Sequence, residues 1–259
     1  IMAITAKDVQ KLREMTGVGM MDCKKALVEA DGDFDKAIEW LREKGLAAQT
    51  KKAGKVAAEG VSMAIVADNG VGVLIEVNSQ TDFVAKNDVF QGFVKDVATA
   101  VATQDPADVE VLKNCTYPGT DRTIADVTAD KVLAIGENIQ IRRFVRYAEG
   151  VSVPYVHMNG KVGVLVNLAV EGIDAGKVVE LGKDVAMQIC AMNPTYLDKS
   201  DVSQEILDKE KEIQLAIMAN DPKMAAKPDK VKEGIVMGKL GKYYEENCLL
   251  QQAFVKENK

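Results

Sequence analysis

The sequence is poor in the residues that most enzyme chemistry needs. Its 259 residues include one histidine, His157, which argues against Ser-His-Asp catalysis, His-ligated metals and most His acid–base chemistry. Four cysteines are scattered without C-x-x-C spacing, so they predict neither a disulfide framework nor a zinc site and fit a reducing cytoplasm. We therefore expect a protein that is not an enzyme and that holds no metal.

Long apolar runs, basic excess and nucleotide-binding loops are also missing. No run approaches the ~18 apolar residues of a membrane span, and no signal-peptide pattern is present. Lys+Arg number 33 against 39 Asp+Glu, a net charge of −6, which argues against a dedicated nucleic-acid binder. Neither a P-loop nor a dinucleotide-binding glycine pattern occurs after a predicted strand. We expect no cofactor, no nucleic acid and no membrane among its ligands.

The rest of the composition is that of a globular chain, 47% hydrophobic and 28% charged. At about 150 residues per domain, the length indicates about two folding units with a sizeable core. Because a natural chain begins with methionine, Ile1 before Met2 is interpreted as an addition and is left out of the fold prediction.

Residues 3–45 are predicted to form a bundle of three short helices. Thr5 is a good N-cap for the first helix, and the glycines at 17 and 19 break it. Asp33 is expected to cap the third helix and Gly45 to stop it. A bundle this small is marginal by itself and is typical of a docking module. Residues 46–59, rich in Ala, Lys and Gly, are predicted as a linker, partly helical, that lets the bundle sit apart.

The middle of the chain is predicted as an α+β core built from a duplicated unit. Residues 60–138 contain a hairpin with an Asn69-Gly70 turn and then a helix over 88–103. The segment 105–120 is expected to be a loop, followed by a short helix over 128–135. The same plan returns about 90 residues later.

In that second unit, residues 139–195, an extra strand over 139–147 precedes a hairpin with an Asn159-Gly160 turn and a helix over 175–192. The two hairpins have similar sequences, NGVGVLI and NGKVGVLV, which indicates an internal duplication. Residues 196–246 are predicted as an antiparallel helical hairpin, a coiled-coil arm, with prolines bracketing its connector. Residues 247–259 are expected to start an incomplete C-terminal segment.

Asp82-Phe83 is the feature that composition does not explain. A carboxylate beside a large aromatic side chain, between a strand end and a helix, lies where binding residues often occur. The alternative is that Asp82 caps the following helical turn and Phe83 packs into the core. The pattern alone favours that alternative.

Two longer segments resemble the signatures of the bacterial translation elongation factor Ts family. Residues 12–27 read LREMTGVGMMDCKKAL, and residues 76–86 read EVNSQTDFVAK. Both are ungapped and stand in the family's order, residues 135–139 (IGENI) are also similar, and the resemblance covers essentially the whole chain. It implies a guanine-nucleotide exchange factor for elongation factor Tu that binds the GDP-bound and nucleotide-free partner, as a 1:1 or 2:2 complex, in the cytoplasm.

The resemblance also implies which residues meet the partner. The N-terminal bundle, similar to ubiquitin-associated (UBA) domains, is expected to dock on the GTPase domain, and a second set of residues to disturb the partner's magnesium and phosphate site. The edge of the second hairpin is expected to meet the partner's β-barrel region. The implied contacts are Arg13, Met20, Met21 and Lys24 in the bundle; Thr81, Asp82, Phe83 and Val84 at the nucleotide site; and His157, Asn159, Gly160 and Lys161 in the second hairpin.

Family members continue beyond the Phe254-Val255-Lys256 region with a further strand and helix, so the resemblance implies that this chain is truncated there. Two other classes of function stay open. The bundle could make the chain a general adaptor, which would have no use for Asp82-Phe83. An enzyme is the third choice, disfavoured by the single histidine and the missing nucleotide loop.

Overall fold

The computed structural model describes residues 4–256, which form helices and two small antiparallel sheets, as expected for an α+β fold. Ile1 and the last three residues of the predicted C-terminal segment lie outside that range. The helices are α1 (Ala6–Thr16), α2 (Met20–Glu29), α3 (Phe34–Lys52), α4 (Asp82–Ala85), α5 (Asp88–Gln104), α6 (Val109–Asn114), α7 (Ile124–Ile135), α8 (Val179–Met192), α9 (Gln204–Ala219), α10 (Pro222–Ala225) and α11 (Asp229–Asn247). The strands are β1 (Glu59–Val66), β2 (Gly72–Ser79), β3 (Gln140–Tyr147), β4 (Val151–His157) and β5 (Val162–Leu168).

The chain divides into two compact units, one that ends at Lys183 and one that begins at Asp184. Among the helices of residues 4–256, none combines the length and apolar character needed to cross a membrane. The candidate binding residues all fall in the first unit.

The N-terminal bundle is built by the caps that the sequence predicts. Thr5 and Asp8 form a reciprocal capping box, and Gly17 ends α1 in the left-handed region at φ 68°. Asp33 accepts hydrogen bonds from the backbone N–H groups of the first turn of α3. Apolar side chains of the three helices share one buried cluster that includes Leu12, Leu27 and Leu41 (the last in α3). The three predicted helices are confirmed.

The predicted helix end at Gly45 is wrong, because α3 continues to Lys52. Gly45 is buried, and a Cβ placed there would lie 3.1 Å from the carbonyl oxygen of Ala129 in α7. Glycine at this position therefore lets two helices approach closely. In the sequence alone, a glycine with this tertiary role looks the same as one that ends a helix.

The expected separation of the bundle is also wrong, because α3 packs against α7. The guanidinium of Arg42 donates two hydrogen bonds to the Asp126 carboxylate, at 3.0 and 2.6 Å. Lys52 donates to the carbonyl of Gly136, and Leu133 of α7 packs on the bundle's own cluster. Half of the predicted linker is thus a rigid helical continuation rather than a tether.

The first sheet has the strand order β1-β2-β3, with all pairs antiparallel. Its Asn69-Gly70 turn is confirmed: Gly70 has φ 81°, and the Asn69 side chain accepts from the Val71 N–H at 3.2 Å. Phe90 and Phe93 of α5 are buried in the cluster that covers this sheet. β3, predicted to open the second unit of the duplication, instead pairs with β2 along its length.

The second sheet is the hairpin of β4 and β5, joined by a 3-10 turn over Met158–Gly160. Three successive left-handed residues make the turn, at φ 50°, 55° and 91°. A Cβ on Gly160 would lie 2.7 Å from Cγ1 of Val61 in β1, so this turn packs on the first sheet. Both predicted strands are confirmed to within two residues.

Two other predicted boundaries differ from the structure. The segment expected to be a loop over 105–120 contains α6, which Asp108 caps. α7 begins at Ile124 rather than at 128, because the Thr123 hydroxyl caps its first turn through the Asp126 N–H. In both cases a single capping side chain decides where the helix begins.

The second unit contains the expected helical hairpin, α9 and α11, with a one-turn helix, α10, in its connector. Met218, Val236 and Leu240 are buried in this unit. Residues 195–197 hydrogen-bond with 247–250 at its base, where Tyr196 and Cys248 form a parallel bridge.

Candidate functional site

The turn between β2 and α5 presents a large aromatic side chain to solvent. Phe83, in the one-turn helix α4, is 82% exposed, so the expectation that it packs into the core is wrong. Its neighbours face inward: Val84 packs on the main cluster, and Thr81 is half-buried. An aromatic ring that is left in water on an otherwise anchored turn is a feature that binding sites often show.

Asp82 is the first residue of α4 and carries a negative charge beside that ring. Its carboxylate accepts from Nζ of Lys86 at 2.7 Å, an i,i+4 ion pair. This hydrogen bond from Lys86, with a smaller contribution from the charge of Lys161, lowers the pKa of Asp82 below its ordinary value. Asp82 is therefore a carboxylate held ionised at neutral pH.

The second hairpin turn lies close to this carboxylate. Lys161 is near enough for its charge to act on Asp82, while Gly160 packs against Val61 of β1. Around Gly160 the turn is exposed at His157, Asn159 and Lys161. The Nδ1 atom of His157 is 3.0 Å from the Tyr155 hydroxyl, and the two rings stack at 5.9 Å. The segments that carry two of the three predicted contact groups thus both pack on β1.

The third group lies on the bundle. Met20 and Met21 are 39% and 66% exposed, and Arg13 and Lys24 are also exposed. Beneath them Cys23 is buried, where desolvation raises the pKa of its thiol. The result is a flexible apolar surface flanked by positive charge, whose methionines can adapt to a partner.

A side chain that the sequence did not single out anchors the Asp82 turn. The Glu137 carboxylate accepts from the backbone N–H groups of Gln80 and Thr81, both at 3.0 Å, and from the Thr81 hydroxyl at 2.6 Å. No local signal links residues 57 positions apart, so sequence reasoning could not find this contact. The Asp82–Lys86 pair, in contrast, could have been predicted from its i,i+4 spacing.

Comparison with known proteins shows which family the chain belongs to. A family model described as Elongation factor TS matches residues 80–259. The elongation factor Ts of Syntrophotalea carbinolica is 48% identical over 256 residues, which cover 98% of this chain and 83% of the relative. That of Halothermothrix orenii is 47% identical over 259 residues, covering 99% and 85%, and that of Clostridium perfringens is 48% identical over 257 residues, covering 98% and 83%. The chain belongs to the elongation factor Ts family.

Membership assigns the chain to protein biosynthesis as an elongation factor. The family match includes the Asp82 turn, Glu137 and the second hairpin, since all lie within residues 80–259. The bundle lies outside that match but within the alignments to the relatives. The exposed Phe83 and its anchor therefore lie in the part of the chain that the family model matches.

Proposed function

We propose that this chain is a cytoplasmic guanine-nucleotide exchange factor for elongation factor Tu, and not an enzyme. The observation that carries the proposal is the exposure of Phe83 on a turn fixed from behind by Glu137, beside an ionised Asp82. An unpacked aromatic and a carboxylate on an anchored turn suit insertion into a partner's nucleotide site.

The mechanism follows from linkage. A P-loop GTPase holds GDP through backbone N–H groups, a lysine and Mg²⁺ that bridges phosphate oxygens. An exchange factor binds the nucleotide-free GTPase more tightly than the GDP-bound GTPase. By linkage it must lower the affinity of the GTPase for GDP by the same ratio. The ring of Phe83 would wedge into an apolar gap of the partner, while the charge of Asp82 disturbs magnesium ligation. A single such contact contributes a few kcal/mol at most, so the surrounding surfaces share the work.

Three surfaces are assigned to the partner in this proposal. The bundle, with the UBA-like architecture, docks through Arg13, Met20, Met21 and Lys24. The turn Thr81–Val84 acts at the magnesium and phosphate site, and the second hairpin supports it through His157, Asn159, Gly160 and Lys161. The proximity of Lys161 to Asp82 supports joint action of the last two surfaces.

The domain organisation belongs to the same proposal. The core is a duplicated β-hairpin and helix, with subdomains over 60–138 and 139–195. The bundle over 3–45 precedes it, and the segment 46–59 joins the bundle to the core. The arm over 196–246 and a C-terminal segment over 247–259 follow the core. The two hairpins with Asn-Gly turns support the duplication. The pairing of β3 with β2 means that the first subdomain borrows a strand from the second.

The test is the release of a fluorescent GDP from elongation factor Tu, with this chain at substoichiometric concentration. Strong acceleration by fewer chains than partners supports catalytic exchange. Binding without acceleration supports the adaptor alternative instead, and absence of binding to elongation factor Tu would overturn the proposal. The Leu250→Ala variant serves as the control for nonspecific loss of activity, because Leu250 is an exposed apolar side chain in the second unit.

A further inference from the structure

Two segments that are distant in the sequence hold each other beside the exposed ring. The Glu137 carboxylate accepts the three hydrogen bonds from Gln80 and Thr81 described above. In return, the backbone N–H of Asn138 donates to Oε1 of Gln80 at 2.8 Å. The three bonds to the carboxylate are charge-assisted and about twice as strong as neutral ones, and together with the neutral fourth bond they make a firm clamp.

The clamp takes over the role of a helix cap. Thr81 is the N-cap residue of α4, but its side chain makes no capping hydrogen bond, and its hydroxyl donates to Glu137 instead. A helix of one turn does not hold its own shape in water. The position of α4 therefore depends on the packing of Val84 and Ala85 and on what fixes the residues before it, which Glu137 does.

The two sides of the clamp differ in rigidity. On one side, α7 ends at Gly136 in the left-handed region, and Asn138 is 1% exposed, with its side-chain amide donating to the Lys55 carbonyl at 2.8 Å. On the other side, Phe83 is 82% exposed and has little packing to direct its ring. The rigid side therefore positions the exposed side.

We propose that Glu137 is a positioning residue for partner recognition by Asp82 and Phe83, an inference that rests on the exchange function proposed above. Without its carboxylate the turn opens part of the time. A site that is competent for only a fraction of the time binds more weakly in proportion to that fraction.

The experiment compares Glu137→Ala, Phe83→Ala and the double variant by kcat/KM for release of fluorescent GDP from elongation factor Tu. We expect Glu137→Ala to lower kcat/KM about five- to tenfold. In the Phe83→Ala background the same change should lower it less than about twofold, because the ring has gone and only Asp82 is left for Glu137 to position. A general structural defect would give the same ratio in both backgrounds.

Two further variants separate positioning from folding. Glu137→Gln keeps an oxygen for the two backbone N–H groups and offers an amide N–H to the Thr81 hydroxyl, so it should restore kcat/KM to within about twofold of the unsubstituted chain. Glu110→Ala removes an exposed carboxylate that pairs with Lys113 and should change nothing. Thermal unfolding of each variant reports any loss of fold.

Hydrogen exchange gives a readout that needs no partner. The amides of Gln80 and Thr81 should exchange faster in Glu137→Ala and stay protected in Glu137→Gln. The positioning role is refuted if these amides open while kcat/KM is unchanged, or if the losses from Glu137→Ala and Phe83→Ala multiply in the double variant. Failure of the proposed function is recognised separately, because the unsubstituted chain would then not accelerate release, and the recognition role of Glu137 would be overturned with it.

Discussion

The sharpest prediction compares one substitution at two phenylalanines of opposite burial. Phe83→Ala removes a side chain that is 82% exposed, and Phe93→Ala removes one that is 1% exposed in the core under the first sheet. The chemistry of the change is identical. The first should therefore damage exchange and spare the fold, while the second should damage the fold.

The magnitudes follow from the exposed fractions. Burying a whole phenylalanine side chain is worth about 1.5–3 kcal/mol. With 82% of Phe83 still exposed, about 1.2–2.5 kcal/mol is available to a partner, a loss of about 7- to 60-fold in kcat/KM. Its effect on the free energy of unfolding should stay within about 0.5 kcal/mol. Phe93→Ala should lower that free energy by about 3–5 kcal/mol through the cavity it leaves.

Two assays decide the comparison. Stopped-flow release of fluorescent GDP from elongation factor Tu gives kcat/KM, and urea unfolding followed by circular dichroism gives the free energy of unfolding. If Phe83→Ala leaves kcat/KM unchanged, the wedge role is wrong. If it destabilises the fold as much as Phe93→Ala does, the ring is not free in the folded chain and the reasoning from exposure fails.

Three further predictions concern the framework around the site. Arg42→Met should lower the free energy of unfolding by about 1–2 kcal/mol, because Asp126 keeps its place in the interface without its cation. Urea unfolding at low and at high salt measures this difference, since the Arg42 side of the pair is exposed to screening. Gly160→Ala should cost about 1–3 kcal/mol through φ 91° and the contact with Val61, and Val61→Ala should relieve the steric part in the double variant. The backbone N–H of Ser200 donates to the Asp198 carboxylate and lowers the pKa of Asp198 from 3.8 to about 2. The Asp198 carboxylate therefore stabilises the folded state above pH 3.8, and this stabilisation is lost as the pH falls towards 2. The difference in melting temperature between Asp198→Ala and the unsubstituted chain should close over that pH range.

Local chemistry in the sequence determined most helices and strands. Thr5 and Asp33 cap helices because their side-chain oxygens reach the backbone N–H groups of the first turn, wherever the helix packs. Asn69-Gly70 makes a hairpin because glycine adopts the left-handed backbone that the turn needs. These signals act over a few residues, so a single sequence shows them.

The family signatures also located the candidate binding turn, although the pattern alone favoured a buried Phe83. Whether an aromatic residue beside a strand end packs inward or stays in water depends on what already fills the core. Here Phe90, Phe93 and Val84 occupy that space, which the sequence does not show. The exposure of Phe83 was decided by packing.

Contacts between distant segments were decided by the tertiary structure alone. Gly45 reads as a helix stop but serves a close approach to α7, and β3 pairs with β2 across more than 60 residues of chain. Glu137 reaches Thr81 from 56 residues away, and nothing near either residue indicates that the carboxylate and the hydroxyl will meet. Capping and turn formation are short-range effects written in adjacent residues, whereas helix docking, strand pairing and the anchoring of the binding turn depend on surfaces that exist only after the chain has folded.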